Sequence, residues 1–126
     1  MDNDNPILIA LTAARTAFRA GERPKALAAC LTVLEYVPNH PLAHLMAGLL
    51  QQQAEEYQKA IRHLRFAVAH EPSDMEVRDA LGMCLLAVGR HAEALPHLRQ
   101  VVAAMPDNTN ARYNLGRCLL DLQNFV

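Results

Sequence analysis

The strongest constraint on this chain is that it repeats itself. Leu81–Leu86 reads LGMCLL and Leu115–Leu120 reads LGRCLL, five letters of six in common, starting 34 residues apart. The same shift superposes Pro38, Pro72 and Pro106. It superposes Ala26, Ala60 and Ala94, each twelve residues ahead of its proline. Gly48, Gly82 and Gly116 align as well, with Ala14 at that position in the first copy. His63 falls on His97, and Cys84 on Cys118. So many coincidences in one frame divide the chain into units 7–40, 41–74 and 75–108 and a partial unit 109–126. A period of this size means one supersecondary unit stacked on copies of itself.

Every full unit predicts two helices. Leu and Ala dominate, and no run of alternating β-branched residues marks a strand. In the third unit Val77, Leu81, Cys84 and Leu85 are spaced for one face of a first helix. Gly89 is placed to end it in a left-handed turn. Ala94, Leu95, Leu98, Val101 and Val102 mark a second helix, which Pro106 cannot continue. The polar stretch 107–110 supplies caps for the helix after it. Asn5 is expected to cap the first helix with Pro6 at its first position, and Pro24 to open the second in the same manner. Pro96 must sit near the first turn of its helix or bend it. Glycine inside a helix costs up to about 1 kcal/mol against alanine. Gly48, Gly82 and Gly116 therefore predict close approach by a neighbouring helix, with Ala26, Ala60 and Ala94 as the expected contacts. One such hairpin cannot bury its apolar face alone, so the units are expected to stack into a solenoid.

Composition narrows the function. Apolar residues make up 52% of 126, enough for a sizeable core. The formal net charge of −1 gives no steering toward nucleic acid or anionic lipid. Aromatics are 5%, with no Trp, too few for base-stacking platforms. Cys30, Cys84 and Cys118 are odd in number and lack metal-type CxxC spacing, and are expected as buried thiols in a reducing compartment. The opening MDNDNPILIALTAAR is acidic before its apolar run, the reverse of a secretory signal. No apolar run approaches the roughly 18 residues that span a bilayer. A cytoplasmic protein without membrane or nucleic-acid partners is expected.

The same pattern offers few candidates for a catalytic or metal constellation. His40 and His44 are four apart, but Pro41 stands between them, so they do not form a helical two-ligand face. His63 and His97 are expected as surface histidines on successive outer helices. Lys59, Arg62 and Arg65 make a short basic stripe, expected to be solvated. There is no glycine-rich phosphate loop, nucleophile elbow or paired carboxylate in a plausible cleft. The expectation is no enzyme activity, no metal and no cofactor.

These residues resemble the tetratricopeptide repeat family. The second unit matches its pattern with Ala47, Gly48, Tyr57, Ala60, Ala67 and Pro72, and the third with Leu81, Gly82, Ala94 and Pro106. The fourth opens ARYNLG, with Phe125 at the family's aromatic position. The first unit is the loosest, with Ala10 where the family often has a large aromatic. The resemblance covers residues 7–126. It implies an all-α fold, a right-handed α-solenoid of antiparallel helical hairpins forming a single domain over 1–126. It also implies that the first helices line a concave groove holding peptides or partner proteins, without chemistry.

Carried onto this chain, the family's groove positions are Leu11, Arg15 and Phe18 in the first unit, beside Leu8 and Arg19. The second unit gives Leu42, Leu45, Leu49 and Gln52, the third Asp79, Met83 and Leu86 beside Glu76, and the fourth Tyr113 and Arg117 beside Leu120. The middle is apolar, with Arg15 and Arg19 at one end and Glu76, Asp79 and Arg117 toward the other. Such a groove suits an amphipathic helix or an extended hydrophobic segment. The competing reading is that some of these leucines pack against the adjacent hairpin or an N-terminal element outside this sequence. Leu11 and Arg15 do not match the Lys and Asn that chaperone-tail-binding members use to grip a carboxylate, so that clamp is not expected. Leu45→Glu and Leu49→Glu are expected to abolish partner binding with helicity intact. An alternative role is the non-catalytic N-terminal arm of a multidomain bacterial transferase, of glycosyl- or sulfotransferase type. Because the fourth unit holds a first helix only, the chain is expected to be part of a longer one. An uncovered fourth helix is also expected to self-associate.

Overall fold

The structure, a computed structural model, describes residues 5–124. Its regular elements are seven α-helices: α1 (Pro6–Ala20), α2 (Arg23–Tyr36), α3 (Pro41–Gln53), α4 (Tyr57–His70), α5 (Met75–Ala87), α6 (His91–Ala104) and α7 (Thr109–Asn124). They pair as the hairpins α1–α2, α3–α4 and α5–α6, and each hairpin packs on the next through α2–α3, α4–α5 and α6–α7. This is an all-helical repeat solenoid. Residues 1–4 and Phe125 lie outside the described residues, so the aromatic position proposed for Phe125 does too.

Local chemistry sets the helix ends, and it repeats. Odd-numbered helices begin on a side-chain cap. Asn5 Oδ1 accepts from the backbone N–H groups of Ile7 and Leu8 at 2.9 and 3.3 Å. His40 Nδ1 accepts from Ala43 at 3.3 Å, Asp74 Oδ1 from Val77 at 3.2 Å, and Asn108 Oδ1 from Ala111 at 3.0 Å. Each cap satisfies a backbone donor that the helix start leaves without an intrahelical acceptor. Even-numbered helices have no side-chain cap. They follow a tight reversal through one residue with positive φ: Gly21 at 76°, Glu55 at 61° and Gly89 at 82°. Glu55 holds a conformation that the other two hairpins give to glycine. Pro96 is the sixth residue of α6, past the first turn, and the helix runs on through it to Ala104.

The hairpins close on glycine, and the contact differs from the expected one. A Cβ at Gly48 would lie 2.7 Å from Leu64 Cδ2 and 2.8 Å from its Cγ; one at Gly82 would lie 2.7 Å from Leu98 Cδ2. The knob that needs the glycine is thus the leucine four residues after the alanine, one turn along the same face. Ala26, Ala60 and Ala94 are fully buried but are not the closest contact. Gly116 has nothing within 4 Å of the equivalent position. The largest core cluster runs from Ala60 to Leu98 and on to Cys118, joining units two, three and four. Leu64, Leu81, Leu85 and Leu98 are its fully buried leucines, each contributing about 1.5–3 kcal/mol of burial. Cys30, Cys84 and Cys118 are free and buried, as expected. Burial pushes the Cys30 and Cys84 thiols up to about 11. Among the described residues, no helix is long and apolar enough to cross a membrane.

Candidate functional site

Helices α3, α5 and α7 form one continuous surface. α3 touches α5 and α5 touches α7 directly, whereas α2, α4 and α6 meet one another only marginally. A stack whose alternate helices touch on one side and spread on the other curves toward the touching side. The inner face is therefore built from α1, α3, α5 and α7. Across it, Gln52 Nε2 of α3 lies 4.0 Å from Met83 Sδ of α5.

The residues singled out for the groove fall into two sets. Met83, 39% exposed, and Tyr113, 67% exposed, are large apolar or amphipathic side chains open to solvent. Arg15 and Arg117 are exposed as well. Leu11, Phe18, Leu42, Leu45, Leu49 and Leu86 are only partly exposed and pack against the core clusters. The leucines thus make the floor of the inner face, and a charge at Leu45 or Leu49 would strike the core beneath. This corrects the expectation that Leu45→Glu and Leu49→Glu leave the helices untouched. Beside this face, Leu42, Leu45, Ala67, Val77 and the acidic rim Glu71 and Asp74 enclose a cleft of about 200 Å³. That is below the usual 300–1,000 Å³ or so of a small-molecule site and suits one inserted side chain.

Asp79 is half-buried at the junction of α5 and α7. Its Oδ1 is buried without a partner, while the Asn114 side chain hydrogen-bonds the carboxylate. Burial raises its pKa, and the Asn114 bond works in the opposite direction. A half-buried carboxylate short of donors is satisfied by any group that brings an N–H to it.

Histidine placement departs from the surface reading. His63 and His97 are half-buried, and each is tied inside its own hairpin. His63 Nδ1 lies 2.9 Å from His44 Nδ1, and His44 Nε2 is 2.8 Å from the Pro38 carbonyl. One unit on, Arg78 Nη1 lies 3.0 Å from His97 Nδ1, and Arg78 Nη2 donates to the Pro72 carbonyl at 2.8 Å. The two links recur at a spacing of one unit: the side chain at 44 or 78 donates to a loop carbonyl and also meets a histidine, Arg78 as donor to His97 and a neutral His44 as acceptor from His63. Burial first, then the neighbouring His44 or Arg78, lowers the pKa of His63 and His97. The signal was present in the sequence, as residues 44, 78 and 112 are all His or Arg in register with Pro38, Pro72 and Pro106. The basic stripe is partly neutralised, because Lys59 pairs with Glu56 and Arg65 of α4 pairs with Glu93 of α6. Among the described residues, no three His, Cys, Asp or Glu side chains gather as a metal site.

Comparison with known proteins agrees with this geometry. Tetratricopeptide repeat profiles match residues 11–61 and 45–104, and a second such profile matches residues 85–126. The chain belongs to the tetratricopeptide repeat family. No curated protein sequence matches it. Among solved structures, it superposes on MamA with a TM-score of 0.82 at 20% identity, over 93% of this chain and 64% of that one. YrrB, described as a tetratricopeptide repeat protein with an unusual peptide-binding site, matches with a TM-score of 0.78 at 26% identity, over 86% of this chain and 56% of that one. An O-GlcNAc transferase from Thermobaculum terrenum matches with a TM-score of 0.72 at 28% identity, over 94% of this chain but 23% of the transferase. This repeat chain thus spans about three fifths of the length of MamA and YrrB.

Proposed function

We propose that this tetratricopeptide repeat chain is a protein-interaction scaffold that holds a peptide segment of a partner on its inner face. The observation that carries the reading is the state of that face. Met83 and Tyr113 stand exposed above a floor of half-buried leucines on α3, α5 and α7, where α5 touches both of the others. Exposed large apolar groups on a rigid preformed surface are the usual mark of a binding site. The partner segment presents apolar side chains to the middle of the face, in an amphipathic helix or an extended strand. Arg15 and Arg19 at the α1 end favour an acidic flank there, and Asp79 favours a donor toward the α7 end. YrrB, whose structure is described by its peptide-binding site, supports the same use of the fold.

The test is selection of binders from a random peptide library on the immobilised chain, followed by titration of the best peptide. Tyr113→Ala and Met83→Glu are expected to weaken it about tenfold or more each while the circular dichroism spectrum is unchanged. Full retention of affinity in both variants would overturn the assignment to the inner face.

A further inference from the structure

We propose that the cleft between the outer helices α2 and α4 is a small-molecule site, separate from the inner face, for an N-acylated apolar amino acid with a free carboxylate. Leu27 and Leu31 of α2, Gln51 near the end of α3, and Arg62 and His63 of α4 line this cleft, with Glu56 and Lys59 at its edge. Its volume is about 340 Å³. That lies within the usual range of roughly 300–1,000 Å³ for a small-molecule site.

The next unit shows what the same interval looks like when it is closed. There Ile61, Arg65, Leu85 and Glu93 hold the positions of Leu27, Leu31, Gln51 and Lys59. Arg65 of α4 pairs with Glu93 of α6 across the interval, and Leu85 is fully buried. Between α2 and α4 no such bridge can form, because Leu31 and Lys59 are not opposite charges. Lys59 pairs instead with Glu56, three residues before it. Leu31 is left 42% exposed. Gln51 is only 5% exposed, and its Oε1 is buried with no partner. Packing does not require an amide there, since leucine fills the place one unit on. A buried amide oxygen without a donor costs free energy that a ligand donor offsets.

The chemistry of the cleft selects the ligand. Lys59 and Glu56 offset each other. Burial, then His44 and Arg62, lower the His63 pKa, so its ring is neutral at pH 7. Arg62 is exposed and has no ion pair among the described residues, and its counterpart one unit on is Pro96. It is therefore the uncompensated charge of the cleft. A guanidinium takes a carboxylate through two parallel N–H bonds. The fitting ligand thus brings an apolar body for Leu27 and Leu31, a carboxylate for Arg62 and an N–H for Gln51. An acylated leucine holds all three within one amino-acid unit.

The experiment adds N-acetyl-leucine to the nitrogen-labelled chain and follows amide NMR. Saturable shifts are expected at Leu27, Leu31, Gln51 and Arg62, with a Kd of about 1 mM or below. N-acetyl-leucinamide, which lacks the charge, is expected to bind about fivefold more weakly or worse, and Arg62→Gln to weaken the acid as much. Gln51→Leu is expected to weaken it about fivefold or more while raising stability, so unfolding cannot explain the loss. The pair Leu31→Arg and Lys59→Glu, which copies the bridge of the next unit, is expected to abolish binding. Absence of saturable shifts would overturn the proposal, as would full affinity in both Gln51→Leu and Arg62→Gln. Shifts centred on Met83 and Tyr113 would also overturn it by placing the probe on the inner face. So would a leucine-ended peptide binding about tenfold more tightly than N-acetyl-leucine, since a polypeptide end would then be the occupant.

Discussion

Three glycines at one repeat position have two kinds of surroundings, a leucine knob over Gly48 and Gly82 and open space at Gly116, and substitution separates them. Alanine at Gly48 sets a methyl 2.8 Å from Leu64 Cγ and 3.3 Å from its backbone nitrogen, so the α3–α4 hairpin must shift. A loss of about 1–3 kcal/mol is expected there, even after the gain in helix propensity. Alanine at Gly116 meets nothing within 4 Å and should stabilise by about 0.5–1 kcal/mol. Urea unfolding of the two variants checks the opposite signs. A second residue, Gln51, occupies the position that Leu85 fills in the next unit. Gln51 is buried and its Oε1 has no partner. Gln51→Leu removes that orphaned acceptor and should raise stability by about 1–3 kcal/mol in the same assay. The chain's repeats made these positions easy to find from sequence, but not their signs. The period aligns Gly48 with Gly116, and only the packing shows that one is filled by a leucine and the other is open.

At the scale of elements, the hairpins are tied by titratable links. His63 and His97 are held below the ordinary histidine value of 6.5, mainly by burial. Below about pH 6.5 the unfolded chain takes up protons at these sites that the folded chain refuses, so stability falls as pH drops from there toward the lowered folded values. Above that window these two sites contribute no pH dependence. Melting temperatures at pH 7.5 and 5.5 should show the drop, and a His63→Gln, His97→Gln double variant should flatten it. A drop of equal size in the double variant would mean other groups cause it. The helices themselves were legible because their signals are local. Asn5, Pro6, Gly89 and Pro106 each act on their own backbone, and the helix ends fall where they point. The histidine links were legible only as a register of His or Arg at 44, 78 and 112, because a pair 19 residues apart becomes a contact only when two helices fold back on one another.

At the scale of the whole molecule, the hairpins stack with their first helices inside and present a ready-made face. The repeat period alone foretold that architecture, since a hairpin that cannot bury its own apolar side must stack. The period did not say which groove leucines would be spent on the core. Leu45 and Leu49 lie at groove positions by register, yet they also pack on the core cluster that joins α4 and α5. On the proposed function, the open part of the inner face narrows to Met83, Tyr113 and the charged ends. The measurement that tests this most directly is amide NMR of the nitrogen-labelled chain with a selected peptide added stepwise. The account predicts shifts concentrated at Gln52, Met83 and Tyr113 and along α3, α5 and α7. Shifts confined to the outward sides of α2, α4 and α6 would contradict it.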